Sequence, residues 1–274
     1  MKEIEGKADD TIVFRDELAI KSEYSKRARW LRFTLAVLEG VPWVGSLIGA
    51  ATALKSEIEQ GEVNDLHSAW IDSHRSKIEE LKSMISSIID SAEKNSSQAG
   101  ARLEEDSYLS LVRHGTRVWD TATSQEKRDH VRRILTNASV SKIVSDDLVR
   151  LFLHWIESYD EIHFRVIGVL HRSQGMTRLV IWNEIDGRQV RENSNDADLY
   201  RMIIRDLSTG GVIRQHRTVT SGGQFLKKER RAGSTSISST MKSAFDNTEP
   251  YELTELGQMF VGYALNEPST SLPA

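Results

Sequence analysis

The chain has no cysteine, which removes disulfides, thiolate metal ligands and thiol redox chemistry from consideration. Proline is almost as scarce, with four in 274 residues, so little obstructs long helices. The first 30 residues are charged and lack an apolar core before a small-residue cleavage site, so no secretory leader is read there. Cytoplasmic residence is the expectation. Phosphate loops of the Walker type, dinucleotide-binding glycine turns, nucleophile elbows and His-Glu-x-x-His helices are also missing. That pattern predicts a protein that is not an enzyme and carries no cofactor. A net charge of −4 argues against wholesale non-specific nucleic-acid binding but leaves room for a local basic face.

What is present is organised around Thr34–Leu54, TLAVLEGVPWVGSLIGAATAL, in which Glu39 is the only charge and Pro42 the only proline. Gly45, Gly49 and Ala53 fall four apart, and on a helix they form a small-residue stripe that another backbone can approach. With Val41 and Trp43 they form the candidate membrane-contacting or helix-packing segment. Two readings stay open: a buried hairpin of a helical domain, or a segment packed away until released to a bilayer. The uncharged run is shorter than the ~20 residues a span needs. Pro42 divides it. The basic residues just upstream, Lys26, Arg27, Arg29 and Arg32, suit anionic headgroups but also suit a solvated helix face.

Around this stretch the pattern is helical. Asp16–Leu38 carries an apolar face of Leu18, Tyr24, Ala28, Leu31 and Leu35. The longest periodic run, Glu57–Lys94, places Leu66, Trp70, His74, Ile78, Leu81, Ile85 and Ile88 on one side, nearly a heptad seam. Apart from His74, these residues are the candidate oligomer seam, satisfied within the chain or in a homo-oligomer. Periodicity continues through Ser107–Ala138, with Thr123 and Glu126 reading as N-cap and third helical residue. Ser145-Asp146-Asp147 then opens a helix that runs to a possible break at Tyr159-Asp160. His154, Glu157 and Glu161 would share a face on an unbroken helix, but a solvated charged face is the simpler explanation and no metal is predicted. His67 and His74, seven apart beside Trp70, read as seam or surface residues.

The last hundred residues change character. Helices are expected at 161–172 and 177–185, and a third helix should face inward through Leu199, Met202, Ile203 and Leu207 and end at Gly210-Gly211. A strand over Val212–Arg217 should turn at Ser221-Gly222-Gly223 and return through Gln224–Lys227. A final strand and helix follow from Tyr251, and no strand is expected before about residue 211. This order, ending in YELTELGQMF, resembles a winged helix-turn-helix across Glu161–Asn266. The expected fold is therefore mainly α: a helical bundle or hairpin domain over 1–140, then a helical linker and winged-helix-like α+β domain over 141–274. Arg214, Arg217, Lys227, Lys228, Arg230 and Arg231 cluster at the hairpin and are the nucleic-acid-binding candidates. The acidic start of the third helix, with Asp196 and Asp198, opposes that use.

Through Val41–Ala50 and the helices around Glu126–Ala138 and Asp146–Ile156, the chain resembles uncharacterised bacterial proteins that join such an apolar segment to a winged-helix-like region. In general plan it is similar to the abortive-infection alpha group of phage defence. The resemblance implies a defence-type effector or sensor whose C-terminal domain controls the apolar segment, acting peripherally at the inner membrane or on another protomer. The alternative is a winged-helix DNA-binding regulator with an N-terminal oligomerisation domain, and a structural adaptor is a third reading.

Overall fold

The computed structural model describes residues 24–44, 65–95, 101–140, 142–217 and 243–265, with single positions at 220, 222 and 224. Side chains are described from residue 30 in the first helix and over 74–94 in the second. The described chain is mainly helical, with one small antiparallel sheet. It divides between Ser158 and Tyr159 into two compact units, and the second ends at Leu265.

The first unit contains α1 (Tyr24–Glu39), α2 (Asp65–Asn95), α3 (Asp106–Thr121), α4 (Gln125–Val140) and α5 (Asp146–Ser158). Helix α3 is central and packs on α1, α4 and α5, while α4 also packs on α2 and α5. This is possible because α3 buries residues on most of its circumference, from Tyr108 and Leu109 to Val118 and Trp119. Two glycines permit the close crossings. A Cβ at Gly40 would lie 2.8 Å from the Arg113 carbonyl oxygen, and one at Gly115 would lie 2.8 Å from Leu135. At the open end, Arg102 is buried and donates to the carboxylates of Glu105, at 2.6 Å, and Asp146, to the Ala138 carbonyl at 3.3 Å and to Ser107 at 3.2 Å. One guanidinium thereby ties the loop before α3 to the end of α4 and the start of α5.

Three expectations need correction in this unit. Leu31 and Leu35, expected to face inward, are 53% and 48% exposed, and α1 buries Trp30, Phe33, Ala36 and Val37 instead. The aromatic rings decide the rotation: Phe33 stacks on Tyr108 of α3 at 6.3 Å, which an inward Leu31–Leu35 stripe would prevent. The cap of α4 is Ser124 rather than Thr123, accepting from the Lys127 amide at 3.4 Å. The chain breaks at Tyr159-Asp160, so His154 and Glu157 belong to α5 and Glu161 to the next helix, and no single helix carries all three.

The second unit runs α6 (Glu161–Arg172), β1 (Met176–Thr177), α7 (Arg178–Ile185), α8 (Asn195–Thr209), β2 (Ile213–Gln215), β3 (Pro250–Leu253) and α9 (Glu255–Phe260), closing in a π-helical turn, Val261–Leu265. Its sheet has the order β1-β3-β2, with Met176 opposite Tyr251 and Arg214 opposite Glu252. Strand β1 corrects the expectation of no strand before residue 211. Two residues carry no alternating pattern, and they become a strand because β3 offers an edge. Strand β2 is three residues long and pairs with β3. Of the expected return strand 224–227, only Gln224 is described, its carbonyl accepting from the Thr220 amide at 2.8 Å. Caps set the boundaries: Thr177, Ser194 and Thr254 accept from the amides of Val180, Ala197 and Gly257. Gly211, at φ +77°, reverses the chain after α8, where Val212 N–H closes on the Leu207 carbonyl at 3.0 Å.

Helix α8 also departs from expectation. Ile203 and Leu207 face inward, but Leu199 and Met202 are 45% and 37% exposed. Tyr200 takes their place. Its ring stacks on Phe245 at 5.7 Å and tilts against Trp182 at 5.2 Å, and its hydroxyl donates to the Arg178 carbonyl at 2.7 Å.

Candidate functional site

Three places carry the residues singled out by sequence. At the start of the apolar segment, Val41 and Val44 are buried, and Trp43 is half-buried with its indole N–H donating to Asp120 Oδ1 at 2.7 Å. Lys77 of α2 reaches the same oxygen at 3.2 Å, and the Trp43 ring lies 5.1 Å from that of His74. One carboxylate at the end of α3 therefore fastens the turn after α1 to α2. Glu39 is not stranded in an apolar layer, because its side chain is 58% exposed and pairs with Arg113 at 2.5 Å. Gly45, Gly49 and Ala53 lie outside the described residues.

The seam of α2 is divided. Leu81, Ile85 and Ile88 are fully buried along with Met84 and Ala92, whereas Ile78 is half-buried. The side chains of Leu66 and Trp70 lie outside the described residues. The helix against which α2 packs is α4, and Arg128 of α4 donates to Glu80 of α2 at 3.0 Å beside the seam. The seam residues from Leu81 onward thus lie in an intramolecular core.

In the sheet, the central strand β3 alternates buried Tyr251 and Leu253 with half-buried Glu252. Opposite it, Arg214 Nε donates to Glu252 Oε1 at 2.7 Å, and His216 Nδ1 lies 2.6 Å from Glu252 Oε2. Burial acts to raise the Glu252 pKa, but the hydrogen bonds from His216 and Arg214 outweigh it and hold the carboxyl below its ordinary value. Arg217 is exposed. Lys227, Lys228, Arg230 and Arg231 lie outside the described residues. The bases of α8 are likewise engaged: Arg201 with Glu192 at 2.5 Å and Asp198 at 2.7 Å, and Arg205 with Asp206 at 3.8 Å. Glu192 also accepts from the amide of Ala244 and the hydroxyl of Ser243, pinning the returning chain to the start of α8.

The arrangement most like an acid–base constellation is Tyr159, His163 and Asp206. His163 Nδ1 accepts from the Asp160 amide at 3.1 Å, and its other ring nitrogen lies 4.0 Å from Asp206. Tyr159 stacks on the imidazole at 5.0 Å, its hydroxyl pushed up to about 12 first by burial and then by the Asp206 charge. The histidine is committed to capping α6. Among the described residues no group of three or more His, Asp or Glu could hold a metal, and no helix is long and apolar enough to cross a membrane.

Sequence reasoning missed Asp120, Gly40, Arg102, Glu192 and Glu252. Each acts through a residue distant in sequence, so no local pattern marks its partner. The geometry defines a mainly helical chain with a small antiparallel sheet in its second unit. No family model matches it, and no curated protein or solved structure is significantly similar.

Proposed function

We propose that the protein is a non-enzymatic effector or sensor of the bacterial defence type, in which a winged-helix module governs an apolar segment, Val41–Leu54, that contacts a membrane or another protomer. The observation that carries this reading is the fastening at its start: Val41 and Val44 buried and Trp43 held by one carboxylate, Asp120. Among the described residues, the start of the segment is packed and Trp43 is fastened through Asp120, so losing that carboxylate should loosen it. The winged-helix assignment is supported by the element order α6-β1-α7-α8-β2-β3 and the sheet order β1-β3-β2. The defence role rests on the plan shared with the abortive-infection alpha group. Localisation follows as cytoplasmic, becoming peripheral at the inner membrane on release.

The test is dye release from anionic liposomes. Asp120→Ala should increase release over wild type, and Gly49→Leu should decrease it, because small residues allow helices to approach in a bilayer. Wild type and Asp120→Ala that never partition to lipid, with Gly49→Leu only melting earlier, would leave the segment as buried core.

A DNA-binding regulator is the second reading, favoured by the same element order. Against it stand the carboxylate partners of Arg201, Arg205 and Arg214. Charge reversal at Arg214, Arg217, Lys227 and Lys228 should then flatten the salt dependence of duplex binding. Wild type without affinity at low salt removes this reading.

A further inference from the structure

Helix α8 has two faces of different kinds. Ala197, Tyr200, Ile203, Ile204 and Leu207 are buried. Asn195, Asp198, Leu199, Met202, Arg205 and Thr209 are exposed and step along the helix by three or four, forming one outer stripe. Leu199 and Met202, one turn apart, are large apolar side chains left in water at its middle. Opposite charges flank them, Asp198 toward the N-terminal end and Arg205 toward the C-terminal end.

These charges have local partners, Arg201 at 2.7 Å and Asp206 at 3.8 Å, yet Asp198 and Arg205 remain 73% and 74% exposed. Each head keeps open lone pairs or N–H groups pointing to solvent. Rotated end over end, the stripe complements itself. In an antiparallel pair about a two-fold axis near the middle of α8, Asp198 faces the second copy's Arg205 and Leu199 lies beside the second copy's Met202.

We infer that this face of α8 is a self-association surface whose occupant is α8 of a second copy. The inference rests on this stripe and does not depend on the membrane reading. A nucleic-acid partner fits the same face less well, because the acidic and basic groups alternate and Asp196 and Asp206 lie nearby, where a phosphate backbone requires a surplus of donors. With two apolar side chains per copy, the interface is small and dimerisation is concentration-dependent.

Sedimentation equilibrium on the full chain tests it through a charge swap. Wild type should dimerise with a dissociation constant of about tens of micromolar, as small interfaces do. Asp198→Arg and Arg205→Asp should each weaken it about tenfold, since symmetry turns two attractive pairs into repulsive ones. The double variant Asp198→Arg/Arg205→Asp should return it to near the wild-type value. Leu199→Ser/Met202→Ser should weaken association with the melting temperature unchanged, because both residues are already exposed. A wild type that stays monomeric, a double swap no better than the singles, or a dimer indifferent to the serine pair each overturns the proposal. Asp198→Arg that raises duplex DNA affinity and leaves association unchanged overturns it in favour of a nucleic-acid face.

Discussion

The two units build their cores from different materials. In the first, helices of 13 to 31 residues bring aliphatic rows together, as where Leu81, Ile85 and Ile88 of α2 meet α4, and glycines let α3 be approached closely from two sides. In the second, α7 has eight residues and α9 six, too short for a repeating seam. There, rings reach across several elements: Trp182, Tyr200 and Phe245 form one cluster, and Tyr159, Phe164 and Phe260 another. A short element buries enough surface only if each side chain is large, and a tyrosine then also needs a partner for its hydroxyl. The first unit should therefore be most sensitive to charge in an aliphatic row, and the second to truncation of a ring.

The largest effect is expected from Ile85→Asp, which buries an unpaired carboxylate and should cost about 5 kcal/mol, abolishing the first unit's melting transition in calorimetry. Ile78→Asp, at a half-buried position, should cost clearly less. Equal effects would mean that the row is not packed as described. Next comes Tyr200→Ala, at about 3–5 kcal/mol, with Tyr200→Phe losing only about 1 kcal/mol for the hydrogen bond to Arg178. If the alanine variant melts like wild type, the ring cluster is not what holds the second unit.

Glycine substitutions sharpen the contrast at an intermediate size. A Cβ at Gly257 would lie 2.2 Å from the Val212 carbonyl oxygen, and one at Gly40 would lie 2.8 Å from the Arg113 carbonyl oxygen. Each alanine variant should cost about 1–3 kcal/mol in its own unit, the larger at Gly257. Hydrogen exchange in both units reads which one loosened.

Acid sensitivity separates the units by which arginine anchors the carboxylates. In the first unit, Lys142 and then Arg102 hold Glu105 below its ordinary value. Burial tends to raise Asp146, but hydrogen bonds from Arg102 and Ser107 more than offset it. A carboxyl lowered on folding contributes stability that is complete above its unfolded value and lost as pH falls through the folded one. The melting temperature should therefore drop below about pH 4. Arg102→Met should flatten that dependence for the first unit alone, and an unchanged pH slope would show that the Arg102 network is not the acid-labile element. The smallest effect belongs to Arg214→Ala, whose 45% exposed side chain pairs with the largely buried side chain of Glu252, which keeps its His216 partner. A loss above ~1 kcal/mol by denaturant titration would contradict its peripheral place.

The sequence by itself determined that most of the chain is helical and marked several of the helix ends. Hydrophobic period, Ser145 before α5 and the glycine pair after α8 are local signals, as is the strand–helix ending from Tyr251, whereas the break at Tyr159-Asp160 is decided only by the structure. Tertiary structure decided which side of a helix faces inward. On α1 and α8 two apolar stripes compete at helical spacing, and Phe33 and Tyr200 prevail over Leu31, Leu35, Leu199 and Met202 because Tyr108 and Phe245 wait on neighbouring segments. Strand β1 exists only because β3 pairs with it. Asp120 and Glu252 find Trp43 and Arg214, 77 and 38 residues away, and nothing local marks such pairings. Period and caps are set by neighbours within a turn or two, whereas a buried face or an ion pair is set by whatever the rest of the chain brings beside it.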